Sequence, residues 1–210
     1  MYDRNTTIAQ FLDAAAARQP TPGGGSVTAL CGALAASMGE MVIHYSLGKK
    51  DLAQFEGTLR PALHRLHRAR ELLLELMVED QSAYTALTAA RKLPPGPQRD
   101  ADLPAALLAS IRTPEAIGAT AVAILEICGE IVDFVNYYLL SDLAVCADLA
   151  MAAVRCAVYN VRVNLSDDHD PAERLKIEAD LAQVLSHATQ LIQHVSPRIW
   201  ARHAKGPSPK

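Results

Sequence analysis

Between positions 59 and 87 the apolar residues return every three or four places, with Leu59, Leu63, Leu66, Leu73, Leu76, Tyr84 and Leu87 on one stripe. That period belongs to an α-helix with one buried face. It recurs in Ile8, Phe11, Leu12 and Ala15, and in Cys146, Leu149, Ala153 and Cys156. No alternating strand pattern of useful length and no internal repeat compete with it. Half of the 210 residues are hydrophobic yet only 5% are aromatic, so the core is mostly Ala, Leu, Val and Ile. Closely packed helices suit that mixture better than sandwiches or barrels. The fold expected is all-α: a bundle of long packed helices forming one domain over 1–205, with a frayed Gly-Pro-Ser-Pro-Lys tail at 206–210.

Local signals set the expected elements. A first helix covers 7–18 behind a Thr7 cap. A second runs over 26–47 and stops at Gly48, with Lys49 and Lys50 beyond it. The third covers 52–91, with a bend at Pro61. A Pro-rich loop is expected over 93–104, with helical pattern resuming at Pro104 and again at Pro114, and carrying on to 137. Further helices are expected over 141–165 and 171–202. Ala29, Gly32, Ala33, Ala36 and Gly39 make one narrow helix face, open to a close neighbour within the chain or across a dimer.

Composition excludes several functions. The formal charge is −3, with both signs mixed along the chain, so there is no nucleic-acid footprint. The cluster at His64, Arg65, His67, Arg68 and Arg70 alternates with Leu63, Leu66 and Ala69, as the wet face of a helix does. Cys31, Cys128, Cys146 and Cys156 lack CxxC spacing and read as buried core residues in a reducing compartment. No signal sequence opens the chain, and Glu40, Glu126, Asp133 and Asp148 interrupt the apolar runs. A cytoplasmic protein without membrane or nucleic-acid partners is expected. The histidines have no ligand spacing, so no metal site is expected, and no dinucleotide fingerprint is present.

Three features carry chemistry. Pro22, Gly23, Gly24, Gly25 and Ser26 run straight into a helix, where unpaired N–H groups and unobstructed backbone suit an anion. A plain interhelical turn capped by Ser26 fits the same residues. Asp80 lies on the apolar stripe, with Glu79 and Gln81 pointing elsewhere. An interior carboxylate is costly unless it is paired or used. Finally, Asp142 and Asn160 extend the apolar face of the 141–165 helix at its two ends. Asp142 with Ser141 also suits a helix cap, and Asn160 and Asn164 suit backbone bonding.

In that order these residues resemble a known family. The Pro22 to Ser26 run, the Ala/Gly-rich helix with Met41 and Val42 ending Gly48, Lys49, Lys50, and Asp80-Gln81-Ser82-Ala83-Tyr84 leading to Lys92, Leu93 and Pro94 are similar to the cyclodeaminase domain of formiminotransferase-cyclodeaminases. They are equally similar to the family's stand-alone bacterial methenyltetrahydrofolate cyclohydrolases. Asn136, Ser141-Asp142-Leu143-Ala144-Val145 and Tyr159-Asn160-Val161-Arg162-Val163-Asn164 continue the match. The chain departs from the family's pattern at Pro95, Val135, Tyr137 and Tyr138.

The resemblance implies an all-helical homodimer binding a reduced folate near the glycine loop, with the family's essential acid at Asp80. The expected reaction is hydrolysis of 5,10-methenyltetrahydrofolate, or of a related methenyl-pterin, with Asp80 as base and then acid. Gly23, Gly24, Gly25, Ser26 and Tyr84 would line the substrate site. Lys49, Lys50 and Lys92, or else the helix start after the glycine loop, would hold the glutamate, while Asn136, Asp142, Asn160 and Asn164 orient pterin and water. No metal or redox cofactor is expected. Formiminotetrahydrofolate cyclodeaminase and a folate-binding helical dimer without turnover are the alternatives.

Overall fold

A computed structural model describes residues 1–165 and 170–206. It contains six α-helices: α1 (Ile8–Ala16), α2 (Gly24–His44), α3 (Glu56–Lys92), α4 (Pro97–Ile131), α5 (Leu140–Asn164) and α6 (Pro171–Lys205). Short 3-10 segments occupy Lys50–Phe55 and Tyr137–Leu139, and no strand occurs among the described residues. Helices α2 to α5 run alternately up and down around one core, each packed on the next, and α5 closes back on α2. Helix α6 lies outside, along α4 and α5. The expected all-helical bundle is the observed one. Beyond Gly206 the expected tail lies outside the described residues.

The tightest seam is between α2 and α3. Gly25, Gly32 and Gly39 recur every seventh residue on α2, and Asp80, Leu73 and Leu66 recur at the same interval on the antiparallel α3. A Cβ on Gly32 would come within 3.0 Å of Leu73 Cδ1, and one on Gly39 within 2.9 Å of Leu66 Cδ1 and 3.2 Å of Cys146 Sγ. The narrow face expected on α2 thus serves a helix pair within the chain. Leu59, Leu66, Leu73 and Leu87 are buried on the same row of α3. Asp80 occupies a position in that row where its neighbours are leucines.

Several boundaries differ from expectation, each for a physical reason. α2 starts two residues early, at Gly24 with Gly23 as its cap, and ends at His44. α3 begins at Glu56, leaving Lys50–Phe55 as a tighter turn. The loop expected over 93–104 is only 93–96. Gly96 adopts φ 153°, Pro97 opens α4, and Pro104 and Pro114 lie inside that single helix. Tertiary contacts override the prolines: Leu103, Ala106 and Leu107 of α4 pack on Leu87 and Ala90 of α3. The carbonyl of Ser110, which Pro114 cannot serve, accepts a 2.7 Å bond from Asn164 Nδ2. α4 ends at Ile131, not at 137, and Arg202 donates to the Val132 and Val135 carbonyls beyond it.

Two further corrections concern burial. Cys128 and Cys146 are buried with sulfurs 3.4 Å apart, but Cys31 is half-buried and Cys156 is exposed. By length and composition α2 and α4 are apolar enough to span a membrane, despite Glu40 and Glu126. Yet 56% of each apolar window is buried inside the bundle, as in core helices. Gly39→Val should lower stability by about 1–3 kcal/mol, since Leu66 and Cys146 leave the added methyls no room. In a thermal melt that corresponds to about 2–4 °C for each kcal/mol.

Candidate active site

The seam ends at its one polar rung. A Cβ on Gly25 would lie 1.9 Å from Asp80 Oδ1, so the carboxylate occupies the space an ordinary side chain would take. Ser26 is fully buried one residue on, and its hydroxyl donates to Asp80 Oδ2 at 2.8 Å. The same hydroxyl lies 3.2 Å from the Met77 carbonyl, so its one proton is shared between two acceptors. The Ser26 backbone N–H also favours the charged carboxylate. Burial, the largest influence, pushes the Asp80 carboxyl above the ordinary aspartate range, while the Ser26 hydroxyl and N–H pull the other way.

On the opposite flank, Asn160 covers the loop from α5. A Cβ on Gly24 would come within 2.9 Å of its Oδ1. Asn160 Nδ2 donates to Thr28 Oγ1 at 3.2 Å and to the Cys156 carbonyl at 2.9 Å, and Thr28 Oγ1 donates to the Gly24 carbonyl at 2.6 Å. Within the loop, Gly24 and Gly25 are therefore the positions where a side chain would displace a flanking polar group, one for each. The first-turn N–H groups of Gly24 and Gly25 have no intrahelical partner, and Gly23 offers no side chain to cap them. Thr28 was not evident from sequence. Its only signal is position, one turn after Gly24 on the row facing α5.

The remaining sequence-derived residues divide between the two ends of the bundle. Tyr84 lies one turn beyond Asp80 but is 47% exposed, and so faces solvent despite its place on the stripe. Gln81 is the buried neighbour instead, 1% exposed and bonded to the Tyr2 backbone. Lys92 is exposed, about 18 Å further along α3 at 1.5 Å per residue. Asn164 is committed to the Ser110 carbonyl. Lys49 and Lys50 are exposed beyond the far end of α2, whose 21 residues separate them from the glycine loop by about 30 Å.

Asn136 is also at that far end. Its N–H donates to Ser46 Oγ, its Nδ2 to the Tyr45 carbonyl, and its Oδ1 accepts from the Tyr138 N–H. All its polar groups hold the turn between α4 and α5. Asp142 sits in the first turn of α5, where the helix dipole favours it, although α5 begins at Leu140 and Asp142 is not its cap. In one chain, then, Asp80, Ser26, Gly23, Gly24, Gly25 and Asn160 come together, with Tyr84 beside them, and Lys49, Lys50, Asn136 and Asp142 do not join them. A concavity of about 890 Å³ between α3 and α4 is lined by Arg65, Leu72 and Ala123 and excludes Asp80. Among the described residues no three His, Cys, Asp or Glu side chains group as metal ligands.

Fold and site define a helical bundle that holds a desolvated carboxylate against a glycine-rich helix start. The family model described as formiminotransferase-cyclodeaminase matches residues 7–183, and the chain belongs to that family. It is 31% identical over 202 residues to methenyltetrahydrofolate cyclohydrolase of Methylorubrum extorquens, covering 91% of this chain and 94% of that protein. It is 29% identical to formimidoyltransferase-cyclodeaminase of Sus scrofa over 92% of this chain, but spans only 37% of that longer protein. In shape it matches a crystal structure of formiminotetrahydrofolate cyclodeaminase from Thermotoga maritima. There the TM-score is 0.79 at 24% identity, covering 96% of this chain and 97% of that one.

Gly25→Ala should fold, because the Asp80 side chain can swing aside, but activity should fall by about 100-fold as the carboxyl is displaced by more than an ångström. Asp80→Asn should raise the melting temperature at pH 7, since a carboxyl whose folded pKa is raised contributes stability only while protonated. That contribution is complete below the ordinary aspartate pKa and is lost as pH rises through the folded value. The gain in melting temperature should therefore vanish in strong acid.

Proposed function

We propose that this protein hydrolyses 5,10-methenyltetrahydrofolate to the 10-formyl form, with Asp80 as the catalytic group. The observation that carries the reading is the Asp80 carboxyl, desolvated and lodged in the space over Gly25 at an uncapped helix start. In the substrate one carbon bridges two nitrogens and shares their positive charge. A carboxylate beside that carbon stabilises the cation and takes a proton from the attacking water. The C–N bond of the tetrahedral adduct then breaks as Asp80 returns that proton to the departing nitrogen, while the adduct's hydroxyl loses its own proton to solvent and becomes the formyl carbonyl. A raised pKa suits both duties, because the group must accept and then release one proton near neutral pH. Ser26 holds Oδ2, which leaves Oδ1 for the water.

In this reading Asn160 and the N–H groups of Gly24 and Gly25 meet polar edges of the pterin, and Tyr84 covers its face. The chemistry assigned to these groups calls on no metal or redox cofactor. The Methylorubrum extorquens relative, matched over nearly its whole length, carries the cyclohydrolase activity in its name. A second reading, release of ammonia from formiminotetrahydrofolate, is supported by the matched portion of the Sus scrofa protein. Both reactions proceed at the same carbon.

The working unit in this reading is a homodimer. Val27, Leu34 and Tyr45 are exposed along one row of α2, and Val145, Tyr159 and Val163 along the adjacent row of α5. The two rows adjoin, since Cys31 Sγ lies 3.4 Å from the Leu149 carbonyl. An apolar face of this length on a charged molecule suits a partner. A twofold axis through its middle, near Leu34 and Ala152, would set the Gly24 end of one copy against the Tyr45 and Lys49 end of the other. Lys49 and Lys50, about 30 Å from Asp80 in cis, would then reach the substrate's glutamate in trans.

The test is a paired assay of ultraviolet decay of methenyltetrahydrofolate and ammonia release from formiminotetrahydrofolate. Wild type should give the first. Folded Asp80→Asn should lose it by a factor of about 100 or more, the usual worth of a positioned acid–base group. Ammonia alone would favour the second reading, and saturable binding without turnover would overturn both. Leu34→Glu should give a monomer by sedimentation and should lose activity with it.

A further inference from the structure

The start of α2 poses a problem. Three successive glycines have the greatest conformational freedom of any residues, and no side chain caps the helix they open. Such a first turn frays unless something outside the helix holds it. Yet this turn carries the Gly25 backbone and the Ser26 N–H and hydroxyl that set the position and desolvation of Asp80.

A chain of contacts leads from that turn to the N-terminus. Gln19 Nε2 donates to the Thr21 carbonyl at 2.9 Å, two residues before Gly23, and to the Ala14 carbonyl at 3.1 Å. The Tyr2 hydroxyl also lies 3.1 Å from this nitrogen, so three acceptors share its two hydrogens. The Tyr2 ring meets Phe11 edge-on at 6.4 Å. The Tyr2 backbone is gripped at both polar groups by one side chain: its N–H donates to Gln81 Oε1 at 2.8 Å, and its carbonyl accepts from Gln81 Nε2 at 2.8 Å. The second Nε2 hydrogen goes to the Met77 carbonyl at 3.0 Å, so the amide is fully used. Gln81 is 1% exposed and is the residue next to Asp80. Arg4 pairs with Glu71 at 2.9 Å and fixes the segment again further along α3.

We propose that residues 1–7 form a strap that holds the glycine turn over Asp80, with Gln81, Tyr2 and Gln19 as its positioning residues. The inference rests on the reading of Asp80 as the catalytic group and assigns Gln81 no contact with substrate. α3 presents both ends of the arrangement from adjacent residues. Asp80 receives the front of the glycine turn, and Gln81 anchors, through Tyr2 and Gln19, the segment that enters it from behind. Asp80 is part-buried, and loosening the strap admits more water to it. Its raised pKa then falls toward the ordinary value, and it becomes a weaker base that is less well aimed.

The test compares full-length Gln81→Leu, Gln19→Leu and Tyr2→Phe with wild type and Asp80→Asn, using methenyltetrahydrofolate as the probe. Gln81→Leu and Gln19→Leu should fold by circular dichroism and lower kcat by about 10- to 100-fold, the scale on which small misplacements act, with KM changed much less. The acid limb of kcat should move to lower pH. Amide hydrogen exchange should quicken over 22–30 while α5 and α6 keep wild-type protection. Tyr2→Phe keeps the ring on Phe11 and loses only the hydroxyl, so it should show the same pattern more weakly. Wild-type kcat and acid limb in both folded glutamine variants would overturn the proposal, whether or not exchange quickens. Full activity in Asp80→Asn would instead remove the reading of Asp80, and the exchange data would still decide whether the strap holds the turn.

Discussion

The architecture depends on how closely α2 and α3 approach. Three glycines at seven-residue intervals let three side chains of α3 press against the α2 backbone, and two of the three are leucines. Those two rungs supply dispersion contacts at a density no branched residue on α2 would allow. The third rung has the same geometry with a carboxylate in place of a leucine. Asp80 therefore sits part-buried at the end of a leucine row, against the Gly25 backbone and the Ser26 hydroxyl, and its environment follows from the packing repeat. Desolvation is supplied by the seam and geometry by the last glycine, while Ser26 offers hydrogen bonds that keep the charged form accessible.

This origin explains which parts of the molecule were legible in sequence. The stripe from Leu59 to Leu87 exposed Asp80 as an anomaly because helical periodicity is a local property of one chain segment. The glycine loop was visible for the same reason, although its partner was not. Nothing local says that Gly25 faces Asp80, since the register of two antiparallel helices depends on the intervening turn. Tyr84 and Gln81 show the limit of a single stripe. On a helix packed against two neighbours the buried arc is wide enough to include Gln81, while Tyr84 lies past the start of α2 and is uncovered there, although Leu87 and Ala90 beyond it stay buried against α4.

The misread segments share another cause. Prolines at 104 and 114 look like helix breaks, but α4 runs through both because its apolar face is buried against α3 and its orphaned Ser110 carbonyl finds Asn164. Asn164 and Asn136 look like site residues for the very property that makes them structural: a polar side chain at an inward position, satisfied by backbone groups far away in sequence. Lys49 and Lys50 fit the motif order, yet helix length puts them at the other end of the bundle. Sequence order records which residues travel together and says nothing of which chain's copy they meet.

A carboxylate in a leucine's place is a stability cost borne where the fold is otherwise tightest, and that pairing has a mechanical logic. A floppy site would hydrate Asp80 and return its pKa to the ordinary range, so the socket must be rigid on every side. α3 is rigid by length and burial, and α5 contributes Asn160 from its own packed row. The glycine turn alone lacks internal stiffness, because the feature that admits the carboxylate, absence of side chains, is also what makes a backbone loose. The buried Gln81 amide resolves that conflict without adding a side chain to the turn. It transfers the stiffness of α3 to the N-terminal segment, and through Gln19 to the peptide just before Gly23. Close approach and rigidity, which no single residue in the turn can supply together, are thus divided between the glycines and a segment that passes behind them.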